Sequence, residues 1–177
     1  AVAVRHALSL PLMLLLPALA GCAAYQIGNQ TLYPNHIETV YVPVIESESF
    51  RRNLGERLTE AVMKEIELRT PYKVTGDPNA DSVLRCQLVS DTKRVVVPGR
   101  TGDPTQLQVG MQVRVSWTDR RGAALRKIES VPLPPEVASV TGNANLVPEV
   151  GQSVATAQQE AIQSVAQQIV GMMENPW

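Results

Sequence analysis

The chain has 177 residues, 44% of them hydrophobic, with 16 basic against 17 acidic side chains and a formal net charge of −1. That suits one domain of ordinary size behind a leader, and the near-neutral balance lacks the basic footprint of a nucleic-acid binder.

Residues 1–21 hold Arg5 and His6, an apolar run from Ala7 to Ala20 interrupted by Ser9, Pro11 and Pro17, and small residues just before Cys22. This is the pattern of a secretory signal. A spanning helix wants roughly 20 apolar residues and no proline breaks, so a transmembrane anchor is disfavoured. On the residues alone, ordinary secretion with cleavage after Ala18-Leu19-Ala20 stays open and would leave Cys22 a plain thiol. Removing 1–21 leaves 156 residues and, with Arg5 gone, a formal charge of −2.

Tyr25 to Asn35 is polar, with Gly28, Asn29 and Pro34, and is expected to be a tether ending near His36. Glu38 to Ile45 reads as a first strand, with Val40, Val42 and Val44 on one side and Tyr41, Pro43 and Ile45 on the other. Pro43 marks an edge or a strand end. Ser47 or Ser49 is expected to cap a helix whose apolar face is Phe50, Leu54, Leu58, Ala61, Val62 and Ile66, stopped by Pro71. A short strand over Tyr72–Thr75, a turn at Gly76–Asn79 and a third strand from Ser82 to Val89, extendable to Val97, follow. Cys86 falls within that third strand's alternation and reads as a buried structural thiol. Pro98 to Pro104 is expected to be a loop.

The strongest periodicity is Leu107, Val109, Met111, Val113, Val115 and Trp117 alternating with polar residues and Gly110, a fourth strand with one wet face. Asp119-Arg120-Arg121-Gly122 supplies a turn, and Ala123 to Val131 is expected to return antiparallel before Pro132, Pro134 and Pro135. An irregular stretch to about Gly151 precedes a second amphipathic helix from Val154 to Met173, closed by Pro176. The expected fold is α+β, a two-layer sandwich: a mixed four- to five-stranded sheet with two amphipathic helices packed on one face.

Catalytic, metal and cofactor residues do not assemble. His6 leaves with the signal, His36 reads as a linker residue, and one His with one lone Cys makes neither a zinc site nor a Cys-His or Ser-His-Asp set. Asp77, Asp81 and Asp91 do not follow calcium-loop spacing and are expected to be structural. Gly99 and Gly102 lack the lysine and hydroxyl residue of a phosphate loop.

Leu19-Ala20-Gly21-Cys22 resembles the lipobox of bacterial lipoprotein precursors, which implies a diacylglycerol on Cys22, cleavage before it and acylation of the new amine. Two or three acyl chains anchor durably. Ala23 in place of Asp implies, by the same resemblance, the outer membrane. Together with Tyr25 and Pro34, the block Thr39-Val40-Tyr41-Val42-Pro43-Val44, Phe50-Arg51, Leu58-Thr59-Glu60-Ala61-Val62, Ala80-Asp81-Ser82-Val83-Leu84 and the final helix, the chain resembles the lipopolysaccharide-assembly lipoprotein LptE family.

That resemblance implies a domain over 36–177 behind a lipidated tether 22–35, sitting within the lumen of an LptD-type β-barrel, supporting its assembly and contacting lipopolysaccharide. Gln108, Gln112 and Arg114 are candidates for the surface that meets the barrel. Arginine and lysine suit the phosphates of lipid A, so Lys93, Arg94 and Arg100 in one region and Arg120, Arg121, Arg126 and Lys127 at the hairpin are candidate lipopolysaccharide contacts. The plainer account of the tip is a solvated one whose charges deter aggregation. The competing function is an envelope lipoprotein module of another lipid-transport or secretion system.

Overall fold

The computed structural model describes residues 32–100, 103–125 and 138–174. The signal segment, Cys22, the tether to residue 31, Arg126, Lys127 and most of the expected fifth strand lie outside the described residues.

Strands β1 (Thr39–Tyr41), β2 (Glu46–Ser47), β3 (Lys73–Thr75), β4 (Ser82–Pro98), β5 (Pro104–Asp119) and β6 (Ala138–Leu146) form one sheet, with helices α1 (Leu54–Arg69) and α2 (Val154–Gly171). The strand order is β3-β1-β4-β5-β6, with β2 also paired to β4. β1 runs parallel to β3 and β4, whereas β4, β5 and β6 are antiparallel, so the sheet is mixed. Both helices pack on one face, α2 against β5 and β6, α1 against α2 and β3. The expected α+β sandwich is the observed architecture, with six strands in place of four to five.

α1 buries Leu54, Leu58, Val62 and Ile66, one turn apart, against the core. It ends at Arg69 because Thr70, preceding Pro71, is extended, and the Thr70 hydroxyl donates to the Ile66 carbonyl at 2.7 Å. Its start corrects the sequence reading. The preceding residue is Asn53, in the left-handed region with φ 61° and no side-chain cap. The Ser47 and Ser49 hydroxyls instead accept from Ser49 N and Arg51 N at 3.1 Å, tightening the approach, and Phe50 is fully exposed rather than part of the helix face. What seats the first turn is Gly55: a Cβ there would run into the Ile45 carbonyl oxygen. Thr59 locks the contact, accepting from Ile45 N at 2.9 Å and donating to the Gly55 carbonyl at 2.8 Å.

The expected first strand is broken. Tyr41 pairs with Val83 and Glu46 with Gln87, so five steps of one chain face four of the other. The extra residue is a bulge that buries Val42 and Ile45 and turns Val44 outward, against the expectation that Val44 shares a side with Val40. Because β1 lies between β3 and β4, Pro43 marks a strand end and not a sheet edge.

The packed region begins ahead of His36. Tyr33 is buried, Leu32 packs against the core, and Tyr33, Tyr72 and Trp117 make an aromatic run with centroids 5.6 and 6.1 Å apart.

The segment before Gly151, expected to be irregular, contains β6, whose Val140, Gly142, Ala144 and Leu146 face the helices while Ser139, Thr141, Asn143 and Asn145 face out. β6, not the segment after Gly122, is the long antiparallel neighbour of β5. Of the expected return strand, Ala123 to Leu125 make only a bridge, Thr118 with Ala124, closed by Leu125 N donating to the Trp117 carbonyl at 3.0 Å.

Candidate functional site

Among the described residues, the helices cover one face of the sheet and no element covers the other, so the outward side chains of β4 from Arg85 onward, β5 and β6 form a largely polar surface. Paired positions of adjacent strands share a face, and three cross-strand rows result. Arg94 donates to Gln108 Oε1, and Gln108 Nε2 donates to Asn145 Oδ1 at 3.0 Å. Gln112 Nε2 donates to Ser139 Oγ at 3.2 Å. Arg114 Nη1 donates to Gln87 Oε1 at 2.9 Å, and Gln87 Nε2 donates to Glu48 at 2.8 Å. Gln108, Gln112 and Arg114, the polar positions singled out on the fourth strand, thus stand together on this face. β5, at 16 residues, gives it a length of about 50 Å.

The basic residues do not form one patch. Lys93 pairs with Val109 and Arg94 with Gln108, so these neighbours project from opposite faces of β4. Arg100 is exposed in the connection to β5. Arg120 and Arg121 lie past the far end of β5, about 30 Å or more along the strand from Lys93.

Arg120 is occupied: Nη2 stands 3.1 Å from Asp81 Oδ1, Nε donates to the Ala80 carbonyl at 3.4 Å, and its backbone N donates to the Asp81 carbonyl at 3.0 Å. The hairpin tip is therefore pinned to the start of β4, while the Arg121 side chain is exposed.

The three aspartates are structural ties. Asp77 Oδ1 accepts from Asn79 N at 2.9 Å within its turn. Asp81 Oδ2 accepts from the Thr39 hydroxyl at 2.8 Å and from Thr39 N at 3.1 Å, and these bonds hold its carboxyl below the usual carboxylate range, with help from Glu38 N and Arg120. Asp91 accepts from Ser49 Oγ and pairs with Arg51 Nε, both at 2.5 Å. Among the described residues, no three His, Cys, Asp or Glu side chains gather as a metal site, and no helix is long and apolar enough to cross a membrane.

Where the bulge lifts residues 42–45 away from β4, a cavity of about 400 Å³ opens, lined by Pro43, Val44, Glu46, Arg85, Cys86, Gln87, Arg114 and Ser116. Cys86 is half-buried there, and burial pushes its thiol up to about 12. Arg85 was not singled out in the sequence. Its signal was present, since it lies between the inward Leu84 and the half-buried Cys86, but only the strand break creates the cavity beside it.

Among solved structures, the chain is similar to a minor lipoprotein from Acinetobacter baumannii, at 15% identity over 81% of this chain and 100% of that one, TM-score 0.46. It is similar to the rare lipoprotein B from Shewanella oneidensis at 13% identity, over 77% and 93% of the two chains, TM-score 0.48. A PelC dodecamer from Paraburkholderia phytofirmans matches at 12% identity over 84% of this chain and 92% of that chain, TM-score 0.49. Among curated proteins, none matches the chain. The LptE family model, described as lipopolysaccharide-assembly, matches residues 37–173, spanning both helices and all six strands, and the chain belongs to that family.

Proposed function

We propose that the chain is an outer-membrane lipoprotein, anchored through acylated Cys22, that plugs and supports an LptD-type β-barrel and contacts lipopolysaccharide in transit. It acts by binding and scaffolding rather than by catalysis. The observation that carries this reading is the open sheet face. Its rows of Arg94, Gln108 and Asn145, Gln112 and Ser139, and Gln87 and Arg114 present hydrogen-bonding groups over a long surface, suited to the polar interior of a wide barrel. For the glycolipid, Lys93, Arg94, Arg100 and Arg121 are exposed cations with reach to phosphate. Arg120 serves the fold through Asp81.

The test is extraction of native membranes in mild detergent with a C-terminally tagged chain, with a photo-crosslinking residue in place of Gln112. A crosslink to a large outer-membrane barrel, lost when the label moves to the buried Val113, supports the reading. Recovery of inner-membrane transporter or secretion subunits without a barrel replaces it with the module of another envelope system.

A further inference from the structure

We propose that the cavity beside Cys86 binds a small amphiphilic anion, one phosphate group on an apolar stem, held by Arg85 and Arg114 against Pro43 and Val44. The site shares Arg114 with the open sheet face but does not rest on the barrel reading, and it lies apart from Lys93, Arg94 and Arg100.

The geometry is set by the register. Arg85 pairs with Ser116 and Arg114 with Gln87, so the two arginines are diagonal neighbours on one face of β4 and β5. Diagonal positions lie about 7–8 Å apart, within joint reach of one anion for side chains of this length. Arg114 donates one hydrogen bond, to Gln87, and Arg85 makes no side-chain hydrogen bond or ion pair among the described residues. Each guanidinium has five N–H donors in a planar fork that matches phosphate. Two like charges this close repel, and an anion between them relieves that cost while gaining charge-assisted hydrogen bonds. Glu46, the one carboxylate lining the cavity, leaves its charge at +1.

The opposite wall is apolar. Pro43 and Val44 lie on the bulge, and Val44 is 66% exposed although it sits in an otherwise well-packed segment. A cavity of about 400 Å³ falls within the range of small-ligand sites. Cations on one side and a hydrocarbon wall on the other select an amphiphile over a bare ion. Such a phosphate can come from a lipid headgroup or from a free phosphoester, and the same chemistry reads both.

The full chain in a neutral sugar detergent is titrated with hexyl phosphate, inorganic phosphate and hexanol, read by phosphorus NMR or equilibrium dialysis. Hexyl phosphate is expected to saturate one site, with inorganic phosphate and hexanol each at least roughly tenfold weaker. Arg85→Gln and Arg114→Gln should each weaken hexyl phosphate by roughly tenfold or more, the loss of a charge-assisted contact, while Arg52→Gln, at an exposed position ahead of α1, leaves it unchanged. Val44→Ser, at an exposed position, should weaken hexyl phosphate but not inorganic phosphate. Equal binding of inorganic phosphate, or binding indifferent to Arg85 and Arg114 in variants whose circular dichroism is unchanged, overturns the proposal. Competition by short-chain phosphatidic acid, but not by phenyl phosphate, would assign the source to lipid headgroups, and the reverse would assign it to soluble phosphoesters with an apolar stem; competition by glycerol phosphate as strong as either would overturn the proposal.

Discussion

Val165 fills the space that Gly142 leaves empty: a Cβ on Gly142 would stand 2.5 Å from Val165 Cγ2 and 2.8 Å from the Ala161 carbonyl oxygen. α2 therefore sits directly on the β6 backbone, and Ala161, Ile162, Val165, Ala166 and Ile169 are buried in the contact. Gly142→Ala must push the helix off the sheet, at a cost of about 1–3 kcal/mol for overpacking. Thermal melts should show a fall of several degrees. Adding Val165→Ala should recover part of it, because the clash is with that side chain and the two substitutions are coupled. A Gly142→Ala protein that melts with the parent would show that the helix does not approach this closely.

Asp81 joins three pieces of chain that are far apart in sequence. Its carboxylate accepts from Thr39 in β1 and from Glu38 N, and takes an ion pair from Arg120 past β5. The folded carboxyl is held below its ordinary value, chiefly by the Thr39 hydroxyl. Stability from this group is thus fully present above about pH 4 and drains away as pH falls through the lower folded value. Asp81→Ala should cost about 1 kcal/mol at pH 7, the low end for bonds to a charged but partly exposed group. Urea titrations of the two proteins should converge as the pH is lowered below 4; a gap that persists at pH 2 would mean that packing, not the charge, was lost.

The legible and illegible parts of the fold separate by physical cause. β5 could be read because each of its inward residues from Leu107 to Trp117 is large and buried while most of its outward neighbours are polar. β6 could not, because its inward Gly142 and Ala144 are small for the sake of α2 and carry no hydropathic signal. Phe50 has helical spacing with Leu54 yet lies outside the helix, since the start is set by a close approach of Gly55 to Ile45 that no local pattern encodes. On the open face, Arg94, Gln108, Gln112 and Arg114 were readable from alternation. The same alternation separates Lys93 from Arg94, so grouping them by sequence proximity joined residues on opposite faces. The tie between Arg120 and Asp81 spans 39 positions and is fixed only by the sheet.

Cys86 makes the domain sensitive to alkali. Burial pushes its thiol up to about 12, above the ordinary value of about 8.5. The folded chain then keeps a proton that the unfolded chain releases. Stability is intact below about pH 8.5 and declines as pH rises from there toward 12. Cys86→Ala should flatten part of that decline, leaving the share that belongs to Tyr72 and Tyr33, which burial also raises. Urea midpoints at pH 8, 9 and 10 decide it, and an unchanged slope in Cys86→Ala would remove the thiol from the account.

Beyond Leu88, β4 has no neighbour on its outer side among the described residues. β2 stops there, with Glu48 N donating to the Leu88 carbonyl at 3.0 Å. From Thr92 to Pro98 every residue is exposed, including Val95 at 54%, Val96 at 46% and Val97 at 41%. A bare edge with three valines is a template for pairing with another strand, and Lys93, Arg94 and the ladder-breaking Pro98 are the residues that oppose it. Replacing Lys93 and Arg94 together with threonine should leave the melting temperature within about 2 °C, as expected of surface changes. The same change should move the full chain toward dimers or larger species in sedimentation velocity at tens of micromolar. Adding Val96→Lys should reverse the self-association by restoring charge at the edge, which distinguishes strand pairing from general loss of solubility. Sedimentation of the double variant as the parent does would show that the two cations do not guard this edge.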